Sequence, residues 1–253
     1  MTAYSGFAQI YDHYMHPEDY SRWLAGTQKL IQAYGRPTKQ VLELACGSGT
    51  ISIMLAKHGY DVIGLDISEE MLMIAKDKAL KERVKIGFFQ QDMVTYELNQ
   101  KFDTVLCICD GMNYILEDED LVSLFSRVHG SLKENGLFIF DISTYYKLKY
   151  ILGESTIAES QDDSAFIWEN FYDDDSDILS FELSVFTEDN GLYRRNDEVH
   201  EQRAHKITDM IRLSEHYFEV LEVVTDQFES VTIENYDEDE TENERLFFVL
   251  RKK

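Results

Sequence analysis

Apolar positions along this chain switch between two patterns: short unbroken or alternating runs, which suit strands, and a spacing of three to four, which suits helices. Residues 4–20 place Phe7, Ile10, Tyr11 and Tyr14 on one side and predict an amphipathic helix. Trp23, Leu24, Leu30 and Ile31 continue a second helix until Gly35 and Pro37 break it. Residues 40–45 then read as a strand, 47–49 as a glycine turn, and 50–58 as a helix with Ile51, Met54 and Leu55 on one face. Residues 61–65 form a second strand, Ser68 caps a helix running to about Arg83, and 84–89 form a third strand. A β-rich run at 102–109, a helix at 120–132 and an apolar strand at 136–142, after the Glu134, Asn135, Gly136 turn, continue the series.

Strand and helix in alternation argue for a parallel sheet covered on both faces. From Tyr145 the pattern changes. Residues 165–172, 179–187 and 192–200 read as strands separated by an acidic segment at 173–177 and by Asp189, Asn190 and Gly191, which is the turn chemistry of antiparallel hairpins. Residues 207–217 return to a helix and 218–226 to a strand. With no helix between that strand and a last one at 245–251, the two are expected to pair antiparallel, with the acidic residues 237–244 as the tip of their hairpin. The expected fold is α/β, a Rossmann-like three-layer sandwich with a seven-stranded, mostly parallel sheet whose last strand is antiparallel, plus a small antiparallel β insertion. The expected division is a core of residues 1–143 and 206–253, with an N-terminal helical lid, and an insertion of residues 144–205.

Composition narrows the function classes. An apolar share of 44% in 253 residues supports a sizeable core. No apolar run approaches the roughly 18 to 20 residues of a membrane span, and residues 1–10 lack the basic start and apolar stretch of a signal peptide, so a cytoplasmic protein without a membrane partner is expected. Cys46, Cys107 and Cys109 are odd in number and lack metal-ligand spacing, which predicts buried reduced thiols and no metal. Residues 1–143 carry 13 basic and 20 acidic side chains, whereas residues 144–253 carry 11 and 28. Such a field repels phosphate backbones and argues against a nucleic-acid partner.

In doubly wound folds, ligands bind beyond the carboxyl ends of the strands, where strand order reverses. Behind the first strand stand Ala45, Cys46, Gly47, Ser48 and Gly49, small residues that let the backbone approach a ligand at a helix N-terminus. Asp66, behind the second, is a carboxylate suited to two ribose hydroxyls. Behind the third come Gln91, Asp92 and Met93, an acid that can accept from an adenine amino group beside a thioether that can pack on its ring. Behind the fourth come Asp110, Gly111, Met112, Asn113 and Tyr114, at the mouth where a second substrate would sit.

The segment from Glu43 through Leu44, Ala45, Cys46, Gly47 and Ser48 to Gly49 resembles the first motif of class I S-adenosylmethionine-dependent methyltransferases. Asp66, Asp92 and the strand near Asp141 match that family's later motifs in order. The resemblance covers residues 36–143 strongly, and small-molecule enzymes with an antiparallel insertion look most similar. It implies S-adenosylmethionine as cofactor, with Gly47 near its methionine part, Asp66 at the ribose, and Asp92 with Met93 at the adenine. Glu43, Ala45, Ile67, Met71, Gln91 and Cys109 are expected in the same site, with Tyr11, and Tyr14 beside it, closing over it from the lid. Ala45 stands where the family often has glycine, which is tolerated if φ stays negative.

The implied reaction is in-line displacement at a sulfonium methyl, which needs orientation more than covalent help. Asp110 is the candidate catalytic base or acceptor-orienting group, and His13 and His16 are weaker candidates. Base-flipping amino-methyltransferases of this fold carry two prolines and an aromatic after the fourth strand. Here the prolines are Pro17 and Pro37, so a small polar acceptor is expected. Two alternatives stay open: a non-catalytic cofactor-binding module that uses the insertion as a partner surface, and a nicotinamide-dependent oxidoreductase. The latter lacks its third glycine, since position 52 is Ser52.

Overall fold

The apolar strands assemble as two sheets in a computed structural model, which describes residues 7–35, 37–233 and 242–253. The first contains β1 (Gln40–Glu43), β2 (Asp61–Asp66), β3 (Gly87–Gln90), β4 (Phe102–Cys107) and β5 (Leu132–Ser143). The chain then builds the second sheet from β6 (Thr156–Ser160), β7 (Ser164–Asp173), β8 (Ile178–Asp189) and β9 (Leu192–Arg203). It returns to the first with β10 (Phe218–Thr225) and β11 (Arg245–Lys252). The seven-stranded order is β10-β11-β5-β4-β1-β2-β3, with β11 antiparallel to both neighbours and the inner strands parallel. Strand order reverses between β1 and β4, so their carboxyl ends open the crevice in which such folds bind ligands.

Alternate residues of the same strands supply two cores. Leu42, Val105, Phe138, Phe140 and Phe248 meet Leu121, Leu124, Phe125 and Val128 of α5 (Asp118–Ser131) and Met210 of α6 (Ile207–Ser214). Val41, Leu106, Ile139, Phe247 and Val249 meet α2 (Pro17–Tyr34) and α3 (Thr50–Lys57) through Trp23, Leu24, Ile31, Ile51 and Leu55. Full burial of each such side chain contributes about 1.5–3 kcal/mol relative to exposure. The remaining long helix, α4 (Glu69–Lys81), is capped by Ser68, whose hydroxyl accepts from the Met71 N–H at 3.2 Å.

Several boundaries differ from expectation for local reasons. Of the helix expected over residues 4–20, residues 4–6 lie outside the described residues and the rest forms two: α1 (Ala8–Tyr14) ends before His16, because Pro17 begins α2 and biases its predecessor to the extended conformation (φ −75°, ψ 118°). Strand β3 starts at Gly87 because Arg83, with φ of 56°, closes α4. Val84 and Ile86 pack against Ile53, Leu72 and Phe88 without joining the ladder. The Glu134, Asn135, Gly136 turn lies inside β5 as an irregularity, with Asn135 at φ 61° and the register jumping between Phe102 and Thr104. Strand β6 and a π-helical turn at Lys147–Leu152 were not anticipated: one is short and mostly exposed, the other a single irregular turn. Of the acidic residues 237–244, positions 237–241 lie outside the described residues.

The second sheet folds back over the carboxyl ends of the first. Asn113 fastens it there, donating from Nδ2 to the carbonyls of Ser143 and Arg203, both at 2.9 Å, and accepting the Ser143 N–H at 2.8 Å. Helix α1 spans the gap, with its N-cap Phe7 and with Ile10 packed on Phe166, Leu183 and Val185.

Candidate active site

Three left-handed residues shape the loop after β1: Ala45 (φ 49°), Gly47 (φ 50°) and Gly49 (φ 74°). The negative φ anticipated for Ala45 is therefore not what the loop adopts, and a conformation unfavourable by about 1–2 kcal/mol is held there. Two backbone bonds over-determine the turn on either side, from Leu44 N–H to Leu106 O at 2.8 Å and from Cys46 N–H to Leu65 O at 2.9 Å. A Cβ on Gly49 would stand 2.8 Å from Ala75 Cβ and 2.9 Å from the Phe88 ring, so glycine there lets α3 and α4 close up. A Cβ on Gly47 would meet no atom within 4 Å, because it would project into a cavity.

That cavity, of about 540 Å³, is where the eleven residues expected around a cofactor converge: Tyr11, Glu43, Ala45, Gly47, Asp66, Ile67, Met71, Gln91, Asp92, Met93 and Cys109 all line it. Asp66 accepts the N–H of Gly47 at 2.7 Å and that of Ser68 at 2.8 Å; burial still holds its carboxyl above the usual range. Glu43 is fully enclosed and is pushed up to about 8 by burial, against a hydrogen bond from Ser52 and with added repulsion from Asp66. Position 52, where a dinucleotide fold would have its third glycine, is thus committed to holding Glu43. Asp92 is exposed at the rim with one oxygen on the Val94 N–H at 2.8 Å. Gln91 bonds to the backbone of Glu97 and braces that loop.

Other expected residues lie elsewhere. Tyr14 does not line the cavity; it donates to the Ser164 carbonyl at 2.9 Å and packs edge-on against Phe166. His13 and His16 are exposed and also outside it. Asp110 is missing from the lining as well. Burial alone would raise its pKa, but Arg245, Lys147 and Gln202 overcome this and hold it below the usual range. Its two oxygens are engaged by Arg245 at 2.6 Å and Gln202 at 3.1 Å, an arrangement that makes it a poor proton acceptor. Arg245 also pairs with the fully buried Asp141 and stacks over Trp23 at 4.6 Å. Asp141 in turn accepts the N–H groups of Cys109 (2.7 Å) and Asp110 (3.2 Å), fixing two consecutive left-handed residues (φ 77° and 51°) behind β4. Burial pushes the Cys46, Cys107 and Cys109 thiols up, and all three are free; Cys109 is only partly buried.

Further residues complete the walls. Ser48 of the glycine turn and Tyr114 after β4, both expected at strand ends, line the cavity; Tyr20 and Thr50 join without having been anticipated, and Ile115, Leu116, Glu117 and Asp120 extend the cavity away from the glycine turn. Lys78 of α4 donates to Asp12 of α1 (2.6 Å), Thr50 (2.7 Å) and Ser48 (3.1 Å), so α1 is latched to the glycine loop. The alternation of charge in α1 and α4 gave no sign of this pairing across 66 residues.

The lining has five acidic side chains, Asp66, Asp92, Glu117, Asp120 and the Glu43 that burial keeps protonated up to about pH 8, and among the described residues no lysine, arginine or histidine side chain. A pyrophosphate would be repelled here, while a sulfonium and an ammonium would be favoured. Sequence comparison agrees with that chemistry. The methyltransferase domain profile matches residues 41–136. A protein named as a methyltransferase in Geobacillus sp. strain WCH70 is 36% identical over 98% of this chain and 99% of its own length. The class I S-adenosylmethionine-dependent methyltransferases are this chain's family. Another relative, named as the methyltransferase YqeM of Bacillus subtilis strain 168, is 35% identical over 98% of this chain and 97% of its own. A crystal structure of an S-adenosylmethionine-dependent methyltransferase from Clostridium acetobutylicum superposes with a TM-score of 0.84 at 32% identity, covering 99% of both chains. S-adenosylmethionine is accordingly the methyltransferase's cofactor. Among the described residues, no helix is long and apolar enough to cross a membrane, and no group of three or more acidic, histidine or cysteine side chains could hold a metal ion.

Proposed function

We propose that this methyltransferase acts on a small polar acceptor that is neutral or cationic, held between the Tyr114 turn and the antiparallel insertion. The observation that carries the reading is the cavity's lining, rich in acidic side chains, lacking cationic ones among the described residues and extending beyond the glycine turn to Tyr114 and Asp120. An anionic phosphate ester or a nucleic acid would find no counter-charge in it. In the same proposal residues 1–143 and 206–253 are the catalytic core and residues 144–205 the roof over the acceptor, which the sheet β6–β9 supports.

Bound S-adenosylmethionine supplies an electrophilic methyl group on a sulfonium. In our reading Glu43 would face its ammonium, Asp66 its ribose hydroxyls in exchange for the Gly47 N–H, and Gly47 would keep the approach clear. Ile67, Met71, Met93 and Cys109 would enclose the adenine, with Gln91 and Asp92 at its rim and Tyr11 closing over it. These residues bind, orient and exclude water, which can lower a displacement barrier by about 7–11 kcal/mol through positioning.

Calorimetry with S-adenosylmethionine tests the cofactor half: micromolar binding is expected for the wild type, with at least a hundredfold loss in Asp66→Ala. Incubation with methyl-labelled cofactor and cell extract tests the acceptor half. Label in the low-molecular-weight fraction supports it, whereas label confined to protein or RNA overturns it.

A further inference from the structure

Strand β9 turns its polar residues inward. Glu198, His200 and Gln202 are 1%, 3% and 5% exposed, while Val199 between them is 57% exposed, the reverse of what alternation on a half-buried sheet normally gives. A carboxylate and an imidazole in such a place are costly unless each is paired. Both are paired, and the pairing leads to the cavity. Glu198 accepts the Phe7 N–H on Oε1 at 2.9 Å and faces His200 Nε2 through Oε2 at 3.1 Å. The other ring nitrogen, Nδ1, lies 3.4 Å from the hydroxyl of Tyr114, and Tyr114 lines the cavity. Phe181 stacks on the imidazole at 4.8 Å and 3°, fixing its plane.

Resting on the acceptor reading above, we infer that Tyr114, His200 and Glu198 form a proton relay serving an acceptor whose attacking atom carries a dissociable proton. Glu198 can only accept when ionised, so it fixes the imidazole proton on Nε2 and leaves the Nδ1 lone pair toward Tyr114. As the acceptor's lone pair forms the bond to the methyl carbon, the carbon–sulfur electron pair goes to sulfur, which departs as a neutral thioether. The acceptor's proton passes to the Tyr114 oxygen while the Tyr114 proton passes to Nδ1, and Glu198 offsets the charge of the imidazolium so formed. Tyr114 is the residue that would touch substrate; His200 and Glu198 are positioning residues that act through it. An amine or hydroxyl acceptor needs this route, whereas a tertiary amine or thioether releases no proton and does not. The groups facing the imidazole include Glu198 from its own strand, Tyr114 from the turn after β4 and the uncharged Phe181 ring from β8. The Asp110–Arg245 pair is reached one inward position along, through Gln202.

Nitrogen-15 spectra of histidine-labelled full-length protein, saturated with S-adenosylhomocysteine as an inert probe, read the tautomer directly. The expected result is His200 protonated on Nε2 alone at pH 7.5, and a mixture of tautomers in Glu198→Gln. A wild-type His200 carrying its proton on Nδ1 at that pH would overturn the relay, whether or not the variant folds. Methyl transfer to the small-molecule fraction of extract gives the second readout. Tyr114→Phe and His200→Gln are expected to slow transfer about a hundredfold at pH 7, within the range for a lost general base. The deficit should narrow toward pH 9, with calorimetric cofactor affinity within about twofold of wild type. A His200→Gln deficit that stays flat with pH, or follows a loss of cofactor affinity, would make His200 a packing element and the relay wrong. Absence of any small-molecule product with wild type would sink the acceptor reading, while transfer that survives His200→Gln unchanged would sink the relay alone.

Discussion

The two walls of the cavity are built by opposite means. The wall at the glycine turn is local: Glu43, Ala45, Gly47 and Ser52 fall within one strand, turn and helix, and Asp66 reaches Gly47 from 19 residues away at the next strand end. The facing wall rests on distant groups behind its lining: His200 lies against Tyr114 from 86 residues away, Arg245 holds Asp110 from 135, and Glu198 accepts the Phe7 N–H from 191. Backbone conformation dominates the first, whereas paired buried charges dominate the second. A short fixed turn suits the cofactor side, whereas the site proposed for the acceptor rests on groups brought together from distant parts of the chain.

If the distant wall depends on buried pairing, removing its central cation should produce the largest loss of stability. Arg245 is 8% exposed and holds Asp110 and Asp141 together beneath Trp23. Arg245→Leu leaves the fully buried Asp141 and the half-buried Asp110 without it, and a loss of about 3–5 kcal/mol is expected from denaturant unfolding. Adding Asp110→Asn should recover part of that loss, because one of the stranded charges is gone. A single substitution costing under about 1 kcal/mol would show that this wall is not organised by its ion pairs.

Legibility in the sequence follows the same division. The seven-stranded sheet, its antiparallel last strand and the turn after β1 were readable because each is encoded by neighbouring residues: apolar runs, a cap at Ser68, glycines at 47 and 49. Residues 192–200 were readable as a strand, but not which way it faced. Normal alternation would turn Val199 to the interior, and the inward placement of Glu198 and His200 depends on partners supplied by Phe7 and Tyr114. Asp110 was found at the right strand end, yet the arginine that occupies it lies on the last strand, where no local pattern announces a partner. The break between α1 and α2 was signalled by Pro17, and an unbroken apolar stripe through Tyr14 masked it.

The local wall has its own charge, and pH separates it from the distant one. Glu43 is pushed up to about 8 by burial, from an ordinary value of 4.5, so the folded protein keeps a proton that the unfolded chain gives up. Stability without cofactor is therefore expected to fall as pH rises from about 5 to 8, by at most about 1.4 kcal/mol per unit from this group, and to level off above. Glu43→Gln should remove most of that slope, leaving the contribution of Asp66, whose pKa is raised in the same direction. Urea midpoints at four pH values between 5.5 and 8.5 measure it. Affinity for cationic S-adenosylmethionine should move the opposite way, tightening as Glu43 ionises; equal slopes in wild type and variant would remove Glu43 from the cofactor's surroundings.

The smallest effect expected is at Ala45, and it asks whether the local wall carries strain that its function requires. Ala45 sits at φ 49°, a conformation that an alanine holds at about 1–2 kcal/mol relative to glycine. Glycine in its place would relieve that strain while adding about 0.5–1 kcal/mol of chain entropy to be lost on folding. The net expectation for Ala45→Gly is a gain of about 0.5–1 kcal/mol, or a melting temperature higher by about 2 °C, measurable by calorimetric scanning. Cofactor affinity should stay within about twofold, because the flanking bonds from Leu44 to Leu106 and from Cys46 to Leu65 fix the turn without the methyl group. A stabilised protein that binds S-adenosylmethionine tenfold more weakly would instead mean that the Ala45 methyl, and not the backbone alone, shapes the cofactor's wall.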